Sequence, residues 1–276
     1  MNLTDTAREI RKKILKVAFW GGSGHIATSL SAVEILVQLY FGQILRYDVQ
    51  RPEWEERDRF ILSKGHGSLL LYNVLAKAGY FPFSELEKFC QPGTIFGSHP
   101  TVAIPGVEAT TGALGHGYSY AVGVALAAKI DRKDYLTFVL LGDGECQEGS
   151  VWEAAASVAT YNLNNLITVV DFNGIQATDY TSKISRAGDF NKRWEAWGFE
   201  VLEIDGNNLH DVEKALSVER NNLPLKPRVV IAHTVKGKGI PMMENNPQWH
   251  SRIPTDEELY QILLEIGMSR EEFDSL

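Results

Sequence analysis

The sequence predicts an α/β fold, with a doubly wound and mostly parallel sheet that carries helices on both faces. The continuous apolar run over residues 135–141 is typical of a parallel strand that is buried on both sides, and a second strand is predicted over residues 166–172. Segments with helical periodicity alternate with such runs. The 276 residues are 44% hydrophobic and 22% charged, which is typical of a globular protein. We expect a single domain over residues 1–276, with an N-terminal helix and a C-terminal helical tail.

The individual elements are predicted from apolar spacing and capping residues. Helices are predicted over residues 4–20 and 29–41, the second beginning with serines in capping order. Ser84 is expected to cap a short helix with glutamates in its first turn, and residues 91–112 are expected to form a loop. The small apolar segment 114–130 predicts a buried helix. Further strands are expected at residues 59–62, 199–204 and 228–233. Further helices are expected at residues 151–159, 191–197, 211–218 and 256–266. One more helix is expected to follow the loop after Leu62 and to end near residue 79.

Charge and hydropathy exclude several classes of protein. With 27 basic and 35 acidic residues the net charge is −8, which argues against binding of nucleic acid or of anionic membranes. The N-terminus has no signal-peptide pattern, and no apolar stretch approaches the roughly 20 residues of a membrane-spanning helix. Cys90 and Cys146 fit no metal-binding spacing, so we expect a reduced, cytoplasmic compartment.

Loops that contain glycine follow four of the predicted strands, after Leu62, Leu141, Phe172 and His233. In doubly wound sheets, ligands bind at the carboxyl ends of the strands. Because all four loops are expected at that edge, we predict that they converge on one ligand site.

The loop Gly142-Asp143-Gly144, followed by Asn173 after the next strand, predicts a site for a diphosphate and a divalent metal. A glycine turn lets backbone N–H groups approach a phosphate closely. A carboxylate, an amide oxygen and a backbone carbonyl are hard ligands of the kind that Mg²⁺ prefers. The Asp-Gly pair alone is as typical of a hairpin turn. Its spacing to Asn173, across a strand–helix–strand unit, favours the metal site.

Taken together, the motifs of this chain resemble the transketolase family of thiamine diphosphate enzymes, and most closely the N-terminal subunit of a split transketolase. The motifs are SGH in the first glycine loop, LSKGHG, GSHP, TTGALGHG, GDGECQEGSVWEAA, DFNGIQ, and TVKGKG with the following MMENNPQWH. They run in the family's order from Gly24 to His250 and cover most of the chain. The resemblance therefore implies thiamine diphosphate and Mg²⁺, or Ca²⁺ or Mn²⁺, as cofactors.

The resemblance also implies a role for particular residues. The divalent metal would be held by Asp143, Asn173 and the carbonyl of Ile175, and the diphosphate would be contacted by Gly144, His66 and His250. Leu114 would lie against the thiazolium, and the backbone of Gly112 would face the aminopyrimidine. The sugar's hydroxyls and developing oxyanion would be bound by four histidines, which are suited to move protons near neutral pH: His25, His66, His99 and His250. Glu148 would belong to a charged network that couples two active sites across a subunit interface.

Other polar and aromatic residues receive a structural interpretation. His116 is left open between contact with the cofactor and packing beside it. Trp194 and Trp197 are expected in the core or at a subunit interface. Solvated or packing roles are expected for His210, His233, Lys64, Lys236 and Lys238.

Two short segments depart from the family's pattern, and a part of the family's site is absent. Ile26-Ala27 stand where the family commonly has Pro-Gly, and Asn207-Asn208 stand where it commonly has His-Asp. These departures put the substrate in doubt, not the cofactor. The family's activating glutamate lies on a second α/β domain, which this sequence does not contain. We therefore expect an obligate C-terminal transketolase subunit in an α₂β₂ assembly, with a homodimeric contact as well.

The activity implied by the resemblance is transfer of a two-carbon ketol unit from a ketose or ketose phosphate to an aldose or aldose phosphate. Two alternatives within thiamine diphosphate chemistry stay open. One is a split transketolase for an unusual donor, such as a branched or sulfonated sugar, and the other is a relative of 1-deoxyxylulose-5-phosphate synthase. A subunit that has lost its chemistry is a third, disfavoured by the retained Asp143, Asn173 and histidines.

Overall fold

The fold is built on five parallel strands: β1 Arg59–Leu62, β2 Thr137–Gly142, β3 Leu166–Phe172, β4 Glu200–Asp205 and β5 Arg228–His233. The computed structural model describes residues 2–177, 179–185 and 188–276. The strands lie in the order β1-β2-β3-β5-β4, and every pairing is parallel. All residues of β2 are buried, as expected for a central strand covered on both faces. The predicted fold class and all five predicted strands are confirmed.

Helices cover both faces of this sheet. Within the described residues they are α1 Leu3–Gly21, α2 Ile26–Ser31, α3 Val33–Phe41, α4 Ser68–Ala78, α5 His116–Ile130, α6 Gly149–Thr160, α7 Thr181–Ile184, α8 Phe190–Ala196, α9 Leu209–Leu216, α10 Asp256–Glu265 and α11 Arg270–Asp274. Side chains of α1, α3, α4, α9, α10 and α11 pack on one face of the sheet. Those of α5, α6 and α8 pack on the other. The chain therefore has two apolar layers, separated by the sheet.

The predicted helix over residues 29–41 is wrong in its bounds, because two helices stand there. The break falls at Ala32, whose backbone leaves the helical region (φ −104°, ψ 18°). The buried hydroxyl of Ser31, just before the break, lies 2.5 Å from the carboxylate of Asp171 and 2.8 Å from the carbonyl of Thr28, and its single proton is shared between these acceptors. Ser31 thus serves a tertiary contact and does not cap a helix.

Two further helix predictions differ from the structure at the chain's surface. Ser84 caps no helix, because residues Phe83–Lys88 form a 3₁₀ turn that follows Pro82 without a side-chain cap. Helix α11 was not predicted, although Ser269 and Glu272 form a reciprocal capping box at its start. Trp194 lies in the core as expected, whereas Trp197 is 41% exposed.

The prediction that segment 114–130 is a buried helix is wrong for one side of α5. Tyr118 and Ala121 are buried against the sheet, but Tyr120 is 50% and Ile130 is 70% exposed. A side chain built at Gly123 would meet no atom within 4 Å. We call the outward sides of α5 and α6, including Tyr120, Gly123 and Glu153, the α5–α6 face. Its small and apolar residues are uncovered in the isolated chain.

Among the described residues, no helix is both long enough and apolar enough to cross a membrane. Cys90 and Cys146 are free thiols.

Candidate active site

The strands' carboxyl ends border a cleft of about 360 Å³. The loops after β1, β2, β3 and β5 all contribute to its lining, as predicted from the glycine loops. Every residue to which the sequence assigns a role lines this one cleft: His25, His66, His99, Gly112, Leu114, Asp143, Gly144, Glu148, Asn173, Ile175 and His250. The sequence therefore identified residues from distant parts of the chain that the fold brings together.

The Asp143 carboxylate joins the loops that follow β2 and β3. One oxygen accepts the N–H of Gly144 at 2.9 Å, and the other accepts the N–H of Gly174 at 2.9 Å and the hydroxyl of Thr181 at 3.1 Å. Burial, with the neighbouring charge of Asp171, raises the pKa of Asp143 to about 6. A carboxylate in this state is stabilised by a cation, because a bound positive charge lowers its pKa again.

The amide of Asn173 is held in one orientation. Its Nδ2 donates to the carboxylate of Asp171 at 3.1 Å, and its Oδ1 accepts the N–H of Ile175 at 3.1 Å. The carbonyl of Ile175 itself accepts a hydrogen bond from Lys236 at 3.1 Å. The oxygens of Asp143, Asn173 and Ile175 thus lie on adjoining loops of the cleft.

A buried polar network lies beneath these loops, and we call it the cleft floor: Ser31, Lys64, Asp171, Asn173 and Thr234. The ammonium of Lys64 pairs with the carboxylate of Asp171, and both side chains are fully buried. Ser31, Asn173 and Thr234 also donate to that carboxylate. These contacts hold the pKa of Asp171 low despite its burial, so the ion pair persists where an isolated charge would not.

Four histidines meet above the floor. The ring centroid of His25 is 5.4 Å from that of His66, 6.2 Å from that of His99 and 5.3 Å from that of His250. Burial and neighbouring positive charges lower the pKa of His25 to about 4 and that of His250 to about 3. The pKa values of His66 and His99 are also lowered by burial. All four rings are therefore neutral near pH 7 and able both to donate and to accept hydrogen bonds.

Lys236 sets the tautomer of one of these rings. Its ammonium lies 2.9 Å from Nδ1 of His250, and an ammonium can only donate, so Nδ1 accepts and Nε2 carries the proton. Burial and the charge of Lys64 lower the pKa of Lys236 to about 8. Lys64 and Lys236 are buried and line the cleft, so they are not solvated. The alternative expectation of a packing role agrees with Lys64, which pairs with Asp171. Their position in glycine loops at strand ends was the available signal.

Glu145 ties together the loops that border the cleft, and the sequence assigned it no role. Its buried carboxylate accepts the hydroxyl of Ser63 at 2.6 Å and the N–H groups of Gly115 and Gly142 at 2.8 and 3.0 Å. These contacts position the loop that carries Gly112 and Leu114. Glycine is required at Gly65, because a side chain there would lie 2.9 Å from the backbone nitrogen of Gly112.

The remaining predicted residues divide between the rim and positions away from the cleft. Glu148 is exposed at the start of α6, where the cleft meets the α5–α6 face. His116, His210 and His233 do not line the cleft. The two segments that depart from the family's pattern, Ile26-Ala27 and Asn207-Asn208, do not line the cleft either. The first is buried in α2, and Asn208 caps α9.

The cleft's chemistry fits a diphosphate held with a divalent metal. The donors are a carboxylate, an amide oxygen and a carbonyl, which are hard oxygen ligands suited to Mg²⁺. The buried Nδ1 of His25 and Nε2 of Gln176 have no partner within the described residues, so polar groups remain for a ligand. No cluster of three or more acidic, histidine or cysteine side chains able to hold a metal occurs among the described residues. A metal ion at this place would therefore also need oxygen atoms from the diphosphate.

Comparison with known proteins agrees with this geometry. Residues 4–275 match the model of the family described as transketolase, thiamine diphosphate binding domain. The chain is 43% identical to one subunit of the apulose-4-phosphate transketolase of Actinobacillus succinogenes, over 96% of this chain and 95% of that protein. It is 38% identical to the 6-deoxy-6-sulfo-D-fructose transketolase subunit SqwG of a Clostridium species, over 93% of each.

The fold is similar to that of solved transketolases. The structure of transketolase from Campylobacter jejuni superposes with a TM-score of 0.90 at 31% identity, over 99% of this chain and 44% of that one. The chain thus spans less than half of that enzyme but nearly the full length of the two subunits above. By sequence, fold and the motifs that meet in its cleft, this chain belongs to the transketolase thiamine diphosphate-binding domain family.

Proposed function

We propose that the chain is the cofactor-anchoring subunit of a two-subunit transketolase. With its partner it transfers a two-carbon ketol unit from a ketose or ketose phosphate to an aldose or aldose phosphate. The observation that carries this proposal is the single cleft in which the oxygens of Asp143, Asn173 and Ile175 adjoin the four histidines. We also propose that residues 1–276 form one domain and that the enzyme is cytoplasmic, in keeping with its two free thiols.

The loops after β2 and β3 bind the cofactor through its diphosphate. Asp143, Asn173 and the Ile175 carbonyl hold Mg²⁺, or Ca²⁺ or Mn²⁺, while Gly144, His66 and His250 contact the diphosphate. Lys236 adds positive charge beside it. Bound there, thiamine diphosphate would supply a nucleophilic carbon for the ketose carbonyl and a cationic ring that serves as the electron sink. Leu114 and Gly112 pack against its rings.

The histidines orient the sugar and move its protons. His250 presents its Nε2–H because Nδ1 already accepts a hydrogen bond from Lys236. His25 lies among the other rings with a buried Nδ1 that has no partner in the described chain. Neutral imidazoles 5–6 Å apart are placed to donate to an oxygen that gains charge and to accept a hydroxyl proton.

A C-terminal transketolase subunit completes the site in an α₂β₂ assembly. Relatives of nearly the same length are named as subunits, which supports a separate partner. The uncovered α5–α6 face supports a second contact, between two copies of this chain. Glu148, at the junction of this face and the cleft, is placed to couple two active sites.

A donor other than the pentose phosphates is favoured by the named relatives. One is named for apulose-4-phosphate and another for 6-deoxy-6-sulfo-D-fructose. Both substrates carry an anionic group at the end remote from the transferred unit, which the partner subunit would have to bind. The two segments that depart from the family's pattern do not line the cleft, so any effect on the donor would be exerted through neighbours such as His25, which directly precedes Ile26.

The test is a donor panel assayed with the reconstituted pair of subunits. We expect Mg²⁺-dependent ketol transfer with at least one of apulose-4-phosphate, 6-deoxy-6-sulfo-fructose, xylulose 5-phosphate and fructose 6-phosphate. Transfer that proceeds only from the first or second identifies the unusual donor. A reconstituted complex that binds the cofactor and consumes pyruvate, but none of the four sugars, would contradict the proposal.

A further inference from the structure

Asp171 is fully buried at the end of β3 and is not one of the residues with a proposed cofactor role. Its Oδ2 accepts hydrogen bonds from Ser31, Lys64 and Asn173, and its Oδ1 accepts one from Thr234. Its backbone carbonyl accepts the N–H of Asp143 at 3.2 Å. The residue therefore contacts Asn173 through its side chain and Asp143 through its backbone.

The contact with Asn173 decides which atom of the amide faces the cleft. A carboxylate can only accept, so it must face the NH₂ group of Asn173. The backbone N–H of Ile175 can only donate, so it must face Oδ1. A flipped amide would lose both bonds and place two donors together at Ile175. The free lone pair of Oδ1 is thereby directed away from Asp171.

We propose that Asp171 is a positioning residue that holds the amide oxygen of Asn173 toward the divalent metal. This inference rests on the proposed function, because it assumes the metal-bound diphosphate. Asp171 acts through Asn173 and does not touch the metal or the cofactor. Outer partners of this kind commonly change metal affinity by about 10–100-fold when they are removed.

The alternative is a purely structural role, in which Asp171 only neutralises the buried ammonium of Lys64. The positioning role and the neutralising role can be distinguished by replacing Lys64 and Asp171 together. A buried ion pair can often be replaced by uncharged residues without loss of stability. Lys64→Met combined with Asp171→Asn keeps an oxygen acceptor for the Asn173 amide. Lys64→Met combined with Asp171→Leu has the same charge and the same number of heavy side-chain atoms, but offers no acceptor.

The experiment measures thiamine diphosphate binding by calorimetry as a function of Mg²⁺ concentration in the assembled enzyme. We expect the Leu variant to need roughly 10–100-fold more Mg²⁺ for half-saturation than the Asn variant. Asn173→Ala should weaken cofactor binding strongly when it is added to the Asp171→Asn double variant and little when it is added to the Asp171→Leu double variant. The reason is that the effects of mutations at residues in contact are not additive. Thermal unfolding checks that both double variants fold.

The outcomes distinguish the inference from the proposed function. Equal Mg²⁺ requirements for the Leu and Asn variants would overturn the positioning role. Cofactor binding by the unmodified enzyme that needs no divalent metal would overturn the proposed metal site, and failure of the donor panel would overturn the proposed function. If the Leu variant does not fold, Lys64→Met with Asp171→Ala gives the same comparison, since it removes the acceptor without adding bulk. Thr168→Val is the matched control: it removes a buried hydroxyl of the same strand that donates to Tyr118 away from the cleft, and it should leave the Mg²⁺ requirement unchanged.

Discussion

The cleft floor and the α5–α6 face differ in how complete they are within one chain. In the floor, Lys64 and Asp171 are fully buried and the carboxylate accepts four hydrogen bonds from side chains. On the face, Tyr120 and Ile130 are largely exposed, and the space outside Gly123 is empty. The floor is satisfied internally, whereas the face lacks a covering surface.

This difference corresponds to two separate tasks: the cleft floor serves to anchor the cofactor, and the α5–α6 face serves assembly. A network whose polar groups are all paired is rigid and holds its ligands in place before they bind. An exposed surface of small and apolar residues gains free energy only when a partner buries it. We infer that this chain forms the metal and diphosphate site by itself. The part of the cleft where the sugar reacts is completed only when other subunits bind.

The largest effect in this comparison is expected from a charge placed on the α5–α6 face. Tyr120→Glu should weaken the contact between two copies of this chain roughly 100-fold or more, because an unpaired carboxylate would be buried there. The α₂β₂ particle should dissociate toward αβ in analytical ultracentrifugation. Ketol transfer should fall with it.

A matched control is offered by Leu225, which is 93% exposed in the loop before β5, at the sheet edge opposite the cleft. Leu225→Glu should leave the particle mass and turnover unchanged. A Tyr120→Glu enzyme that stays fully assembled would show that this face is not the contact.

An intermediate effect is expected from acidification of the purified chain. The pKa values of the four cleft histidines lie below 6.5 in the folded state, so the unfolded state binds more protons as the pH falls from about 6.5 toward 4. The free energy of unfolding should therefore decrease over this range. Three carboxylic acids oppose this trend, because the folded state holds their protons more tightly: the pKa of Asp143 is raised to about 6, and the pKa values of Glu108 and Glu145 are also raised by burial.

Urea unfolding at several pH values from 7.5 to 4.5 measures this dependence. His25→Gln should reduce the slope of the unfolding free energy against pH by up to one proton per molecule. His210→Gln, on the surface away from the cleft, is the control. If the His25→Gln slope equals that of the unmodified chain, His25 is not held neutral by the cleft.

The smallest effect is expected from the substituted segment after β4. The side chain of Asn208 accepts the N–H groups of His210 and Asp211 at the start of α9. Asn208→Ala should lower the free energy of unfolding by about 1 kcal/mol, measured by urea denaturation. Since Asn208 does not line the cleft, the ratio of turnover between any two donors should stay the same. A changed donor preference would show that this segment affects substrate binding.

The strands, and the place of Asp143 and Asn173 in one cleft, could be predicted from sequence because their signals are local. A buried parallel strand is a continuous apolar run, and a glycine loop at its end marks the ligand edge of the sheet. Asp143 and Asn173 were identified by loop chemistry and spacing, and their meeting follows from the parallel pairing of β2 with β3.

Other features depend on contacts that no local pattern contains. Ser31 and Lys64 are ordinary polar residues in sequence, and only their meeting with Asp171, more than 100 residues away, makes them part of the floor. The exposed side of α5 includes apolar and small residues such as Tyr120, Gly123 and Ile130, which a buried helix would also have, so composition alone predicted burial. Whether such a helix is covered depends on a second molecule.

The most direct test of the central claim is Mg²⁺-dependent thiamine diphosphate binding by the assembled enzyme carrying Asp143→Ala. Asp205→Ala, which removes a carboxylate at the end of β4 outside the cleft, is the matched control. We predict that the Asp143 variant assembles normally but loses more than the roughly 10–100-fold in metal affinity that an outer partner would cost, while the Asp205 variant binds as the unmodified enzyme does. An Asp143→Ala enzyme that binds the cofactor with unchanged Mg²⁺ dependence would contradict the account.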